Sequence, residues 1–378
     1  MDQPQPELAA SALPLASLTV LELAGAGPVP FAATMLADLG ARVIRIDRPG
    51  PAVAHFPADP TLDVLARGRE SVVLDLKRAE DRATALALVE RADAFVEGLR
   101  PGVAERLGLG PADCHARNPR LVYGRISGWG RTGPLAGRPS HDINVIAVAG
   151  VLAAIVGRDA RPAIPLSLIG DFSAGGLCLA LGVLAGLFEA RATGTGRVVD
   201  TSMLDAVATV AAPLWGYRSE GEFDDVRPRT NVADGGAPFW NVYRCADGRD
   251  LAVGAVEGAF RERLAELLGT RAILGAGGRE TWPADRAELD ALFATRTLAE
   301  WSALFEGEDV CVSPVLTLGE SAEHAQASTR DRFVESGGVT QPRPAWTLDG
   351  ALLPVPAPGP PRGAHTEAIR RELADPAP

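Results

Sequence analysis

A histidine and an acid thirty positions apart are the residues of this 378-residue chain best suited to moving protons. His141 heads an apolar, helix-like run inside SGWGRTGPLAGRPSHDINVIAVAG (127–150). Asp171, in IGDFSAGG (169–176), stands at the mouth of a long Ala/Gly/Leu segment spanning 172–187. A helix N-terminus there would hold a carboxylate against its positive end. Two acid/base groups of different intrinsic pKa, both at element boundaries, suit removal and return of a proton at one carbon. Each has a plainer reading alone: His141 as a helix cap, Asp171 as an N-cap. The segments around them favour chemistry.

A second group of residues suits phosphate. LELAGAGPVP (21–30) carries Gly25-x-Gly27, and Asp47 follows about twenty residues later at the end of a second strand, as in a dinucleotide fingerprint. Pro30 occupies the place of the third glycine, so a dinucleotide is not the expectation. A proline at a helix start still leaves backbone N–H groups free for an anion. Arg48 directly follows Asp47, and its planar fork can clamp a nucleotide phosphate bidentately. The plainer reading of Arg48 is a solvated surface cation.

Composition bounds the rest. The chain is 47% hydrophobic and 22% charged, globular and long enough for two domains with their own cores. A net charge of −11 argues against nucleic acid or an anionic membrane as partner, while leaving room for an anionic ligand in a local basic pocket. No run of about eighteen apolar residues lacks a polar interruption. The acidic, Pro-rich MDQPQPELAA is not expected to be a signal peptide, nor ADPAP a peroxisomal address. Cys114, Cys178, Cys245 and Cys311 are scattered without CxxC spacing, so neither disulfides nor a zinc site is expected, and a reducing cytoplasm is the default location. Every cationic residue is Arg except Lys77.

The elements that would position these groups alternate. Strands are expected at 18–24, 41–47, 71–76, 93–99 and 120–127, with helices at 30–40 and 79–92 between them. That alternation implies βαβ units and a parallel sheet. Helices should follow at 172–190 and 203–215, and the polar stretch 220–231 reads as a linker. From 237 to about 312 come a strand pair and two helices, the second at 298–307, forming a smaller α/β unit. The proline-dense 341–363 reads as an extended strap or tail.

The chain resembles the family III CoA-transferase fold (CaiB/BaiF type), and within it the α-methylacyl-CoA racemase branch. The resemblance rests on LTVLELAGAGPVPFAATMLADLGARVIRIDRPG (18–50), SVVLDLK (71–77), EGLRPGVAERLGLGP (97–111) and NPRLVYGRISGWGRTGP (118–134). It continues through HDIN (141–144), GDF (170–172), DGGAPFWNVYRCADG (234–248), LAVGAVE (251–257) and DVCVSPVLTLGE (309–320). It spans about 18–365, nearly the whole chain, in order and correctly spaced. It implies an α/β fold: a Rossmann-like, CoA-binding large domain with a parallel sheet (1–200 with a return segment, 315–378), linker helices (201–230) and a smaller α/β domain (231–314). It also implies an interlocked homodimer.

The same resemblance implies an acyl-CoA substrate and no cofactor besides it. Arg48 lies where the family contacts the adenosine phosphate portion of CoA; Leu74, Asp75, Leu76, Lys77 and Arg100 would line the adenine and phosphate groove. His141, Asp142, Ile143 and Asn144 match the racemase motif, where Asp142, Ile143 and Asn144 are expected beside the coenzyme. Asp171 is the acid the family shares, and Glu257 matches the glutamate that racemases supply from the small domain. The implied reaction is epimerisation at the α-carbon of a 2-methylacyl-CoA. His141 and Asp171 would flank a planar enolate, amides around 170–174 would hold its oxygen, and Glu257 would orient His141. The alternatives are a CoA-transferase with Asp171 as nucleophile, and a non-catalytic acyl-CoA binding module. This chain departs from the branch at Ser140, where glycine is expected, at Val145 for tyrosine and at Ser167 for asparagine. It also has only three methionines, so the acyl pocket need not favour long methyl-branched chains.

Overall fold

Short apolar runs rich in Val, Ile and Leu form the strands, and Ala/Leu-rich runs between them form helices that cover both faces. The computed structural model describes residues 5–50 and 59–375, which divide into two compact units. The first comprises Met1–Ala149, Leu166–Val210 and Ala322–Pro378. Its elements begin with β1 (Thr19–Leu23), α1 (Pro28–Asp38), β2 (Arg42–Asp47), β3 (Arg69–Val73), α2 (Ala79–Arg91) and β4 (Ala94–Glu97). α3 (Val103–Arg106), α4 (Pro111–Arg117), β5 (Val122–Ser127) and α5 (Asp142–Val148) follow. The chain leaves through α6 (Val151–Ala154) and returns at a wide π-helical turn, Leu168–Gly176, that runs straight into α7 (Leu177–Thr193), β6 (Val198–Ser202) and α8 (Met203–Val210).

All six strands are parallel, in the order β3-β2-β1-β4-β5-β6. This is the expected Rossmann-like α/β sheet. The order reverses between β1 and β4, and in such sheets ligands enter the crevice beyond the C-terminal strand ends at that point. Leu21, Ile44, Phe95 and Tyr123 are fully buried on the sheet beneath Leu88 and Val89 of α2. Burying each large side chain contributes about 1.5–3 kcal/mol.

Two strands of this sheet were not legible as such. β3 begins two residues before the expected 71–76 and ends three residues early, because Arg69 is carried inward by a buried ion pair with Glu22 of β1, Nε to Oε2 2.9 Å. β6 was not expected at all; its VVDTS pairs in register with β5. The helix expected over 203–215 breaks after Val210 and resumes as α9 (Ala212–Ser219), with Pro213 in its first turn, where a proline costs no hydrogen bond.

The second unit is Gly150–Pro165 with Ala211–Ser321. It therefore takes in 150–165, which the resemblance placed in the large domain; Arg158 anchors that excursion to the Val242 carbonyl and, at 3.0 Å, to Asp290. β7 (Trp240–Arg244), β8 (Asp250–Gly254) and β9 (Val312–Pro314) make an antiparallel sheet, covered by α10 (Gly258–Leu268), α11 (Trp282–Phe293) and α12 (Leu298–Phe305). Its core is an aromatic chain: Tyr243 on Phe293 at 4.8 Å, Phe293 on Trp301 at 5.0 Å, Trp301 on Phe305 at 5.8 Å. The 220–231 stretch is hydrogen-bonded within itself, Asp224 accepting from the amides of Val226 and Arg227.

After α13 (Leu318–Glu323) and α14 (Ala325–Thr329), two small hairpins, β10 (Phe333–Ser336) with β11 (Val339–Pro342) and β12 (Thr347–Leu348) with β13 (Ala351–Leu352), return the chain to the first unit. The proline-dense strap then crosses the end of the large sheet. Gly68 N–H donates to Ala357 O at 2.8 Å, and His365 N–H to Ser71 O at 2.9 Å. α15 (Thr366–Ala374) closes the unit, burying Ile369 against α2 and β3.

Candidate active site

The C-terminal ends of β1, β2 and β3 open onto a cavity of about 530 Å³. Leu23, Ala24 and Gly25 form one wall, Asp47, Arg48 and Pro49 a second, and Leu74, Asp75, Leu76 and Lys77 a third. The strap completes it with Pro361 and Arg362. Five of the six groove residues expected from the sequence thus meet in one place. Asp47, the apparent ribose ligand of the fingerprint, is already engaged: it accepts from Ser71 Oγ at 2.6 Å and Arg45 Nε at 3.1 Å, with Arg362 Nε at 3.4 Å. Arg362 also donates to the carbonyls of Arg48 and, at 2.5 Å, of Gly50, so the strap holds the arginine-bearing loop in place.

Arg100, the sixth, lines a smaller cavity of about 230 Å³ together with Ser127, Trp129, Arg138, Ser140 and His141. Leu99 is a wall of both cavities, so the groove and the histidine share a boundary. Ser140, in place of the expected glycine, fits because Gly128 faces it: a Cβ there would sit 1.8 Å from Ser140 Oγ.

His141 is the exposed N-cap residue of α5, and Asp142 the buried first residue of that helix. Ile143 and Asn144 are exposed, and Val145 is fully buried. Asp171 lies in the first turn of the wide helical segment, as expected, and is half-buried. The two loops are tied directly, since Asp171 N–H donates to Asp142 Oδ2 at 2.9 Å. That amide is therefore unavailable to an enolate oxygen, which removes one donor from the expected 170–174 set. On its other side Asp171 meets Gly27, whose φ of +70° and missing Cβ admit the carboxylate; a Cβ there would lie 2.8 Å from Oδ1. α1 and this segment also stack Phe31 on Phe172 at 5.2 Å.

Burial, with the neighbouring Asp142 charge adding to it, pushes the Asp171 carboxyl up to about 6, while His141 opposes the shift. An aspartic acid at that value gains and loses a proton near neutrality, as a general acid/base must. Glu97, at the end of β4, is pushed up to about 7 by burial and accepts from Leu99 N–H at 2.6 Å, fixing the turn into the shared wall. Glu257, in the second unit, is an exposed residue at the N-terminus of α10.

Sequence reasoning missed three supports, Gly27, Glu97 and Arg362, and gave Asp142 a different place: expected beside the coenzyme, it is instead buried and tied to the Asp171 amide. Only the glycine left a sequence signal, as half of an incomplete fingerprint. Among the described residues, no group of His, Cys, Asp and Glu could hold a metal ion.

Known proteins resemble this chain in sequence and in fold. The family model for CoA-transferase family III matches residues 15–366. The chain is 39% identical to the α-methylacyl-CoA racemase of Homo sapiens over 95% of its own length and 93% of the relative's. It is 30% identical to the acetyl-CoA:oxalate CoA-transferase of Acetobacter aceti, with 96% of each chain covered. The solved structure of a CaiB/BaiF family protein from Brucella suis superposes with a TM-score of 0.79 at 25% identity, covering 96% of this chain and 99% of that one. The chain belongs to CoA-transferase family III.

Proposed function

We propose that this enzyme epimerises the α-carbon of 2-methylacyl-CoA thioesters by 1,1-proton transfer through an enolate. The observation that carries the reading is the Asp171 carboxyl: bonded at its backbone to the His141 loop, electrostatically coupled to His141, and raised to a proton-carrying range. The proton α to a thioester is weakly acidic, so one group must remove it while another returns a proton to the opposite face. His141 and Asp171 exchange these roles for the two epimers, and the reaction draws on no metal or redox group. The 39% identity to a racemase supports this direction.

The coenzyme portion occupies the larger cavity, with Arg48 and Lys77 toward its phosphates and Leu74, Asp75 and Leu76 along the adenine. Arg100 continues the path beside the shared Leu99 wall, and Ile143 and Asn144 present an exposed edge near the thioester. Glu257 orients and charge-balances His141, contributed from the second unit of a homodimer partner. An assembly of two copies is supported by the apolar residues α7 leaves uncovered, Leu177, Leu181 and Phe188. That helix with its leading turn, Leu168–Thr193, is long and apolar enough to cross a membrane, yet Leu179, Val183 and Leu187 are buried within the first unit. Light scattering at micromolar concentration should report a dimer; a stable monomer contradicts this part. A reducing cytoplasm suits its free cysteines.

The second reading is transfer of CoA between carboxylic acids, with Asp171 attacking the thioester as nucleophile. The likeness to an acetyl-CoA:oxalate transferase favours it. Incubation with one epimer of a 2-methylacyl-CoA in deuterated water, without a second acid, separates the two. Deuterium at C2 supports epimerisation. CoA exchange only on adding an acceptor acid supports transfer.

A further inference from the structure

Buried acids that form no ion pair are expensive, because a charge removed from water must be compensated or lost. Asp38 is paired with Arg67, Glu22 with Arg69, and Asp47 with Arg45. Asp142 is the contrast. It is 2% exposed, its Oδ2 accepts only the Asp171 amide at 2.9 Å, and its Oδ1 is buried with no hydrogen-bond partner. No Lys or Arg among the described residues lies within salt-bridge distance of it. Its fit is close as well: a Cβ on Gly170 would lie 3.1 Å from Asp142 Oδ2 and 3.2 Å from its Cα.

We infer that Asp142 is the positioning residue of the acid/base pair: one oxygen pins the backbone of Asp171, and its carboxyl, without a cation partner, lies beside that of Asp171. This rests on the epimerase reading for its purpose and on geometry for its existence. Because Asp142 follows His141 directly, one short peg fixes both proton carriers relative to each other. Because the peg is an acid, it also makes ionisation of Asp171 harder. The charged groups facing Asp171 are Asp142, which raises its pKa, and His141, which lowers it; α1, α7 and α8, packed against the same segment, bring no acid or base to bear on it. A neutral peg of the same shape would hold the backbone equally well but remove the contribution of the Asp142 charge, leaving burial alone to raise the Asp171 carboxyl.

The experiment reads the carboxyl itself rather than turnover. In protein labelled with 13C at aspartate carboxyls, Asp171→Asn identifies the Asp171 signal, which is then titrated in the wild-type enzyme, Asp142→Asn and Asp142→Glu. The wild-type midpoint should fall near 6. Asp142→Asn, checked by circular dichroism for a native fold, should lower it by about one pH unit; Asp142→Glu, which keeps the charge, should leave it raised. An Asp171 midpoint in the ordinary carboxylate range in the wild-type protein overturns the inference whether or not any variant folds. So does an unchanged midpoint in folded Asp142→Asn. Neither outcome depends on which reaction the enzyme catalyses, so a failed epimerase assay leaves this result to stand separately.

Discussion

The groove at the strand ends and the cluster at the helix starts handle charge in opposite ways. In the groove, Glu22 is paired with Arg69, and Asp47 is held by Ser71, Arg45 and Arg362. In the cluster, Asp142 and Asp171 lie near each other without a cation close enough to pair with either among the described residues. Compensated charges make a rigid, pre-organised receptor, which suits an unreacting part of a ligand. Uncompensated ones leave a carboxyl poised between protonation states, which suits a group that must give and take protons. The first arrangement becomes costly only when a partner is removed, whereas the second carries its cost in the intact fold, the trade expected between scaffold and reacting centre.

Breaking a pair in the groove should therefore damage stability most. Arg69→Met leaves Glu22 buried without its cation and should cost about 3–5 kcal/mol in urea denaturation. At the cluster the next largest effect is on rate: Asp171→Asn should lower epimerisation by about 10²-fold or more in a steady-state assay. Arg48→Ala should weaken binding of an acyl-CoA by about 1–3 kcal/mol in calorimetry, with little effect on the turnover number at saturation. The smallest effect runs against the first. Asp171 has a folded-state pKa above its unfolded value, so the folded state binds more protons between about 4 and 6 and stability falls as pH rises through that window. The penalty is complete above about 6 and absent below the unfolded value. Asp171→Asn should thus be more stable than wild type at pH 8, by no more than about 2 kcal/mol after allowance for partial exposure, and the advantage should shrink toward pH 4. Equal stability of the two proteins at pH 8 would erase the contrast between the regions.

How much of this was legible follows from whether the deciding interaction is local. β1, β2, β4 and β5 were readable because their apolar runs are short, β-branched and bounded by turns. β3 was misplaced and β6 missed because their registers depend on a cross-strand ion pair and on a neighbouring strand rather than on pattern. α11 was unread because WPADRAELDALF buries only Trp282, Leu289 and Phe293, too sparse an apolar stripe on a mostly polar helix to stand out. The groove residues were legible through the family resemblance, which named Arg48, Leu74–Lys77 and Arg100; the first five line one cavity and Arg100 the neighbouring one. The support around Asp171 was not: Gly27 reaches it across 144 positions and Asp142 across 29, and no periodicity encodes such contacts.

The central claim is that His141 and Asp171 address opposite faces of one carbon, and deuterium wash-in from single epimers tests it most directly. Each epimer of a 2-methylacyl-CoA is incubated in deuterated water with His141→Ala, and label at C2 is followed by mass spectrometry. The account predicts that wash-in stops for one epimer, continues through Asp171 for the other, and that net epimerisation falls by about 10²-fold or more. Full epimerisation by His141→Ala would contradict it.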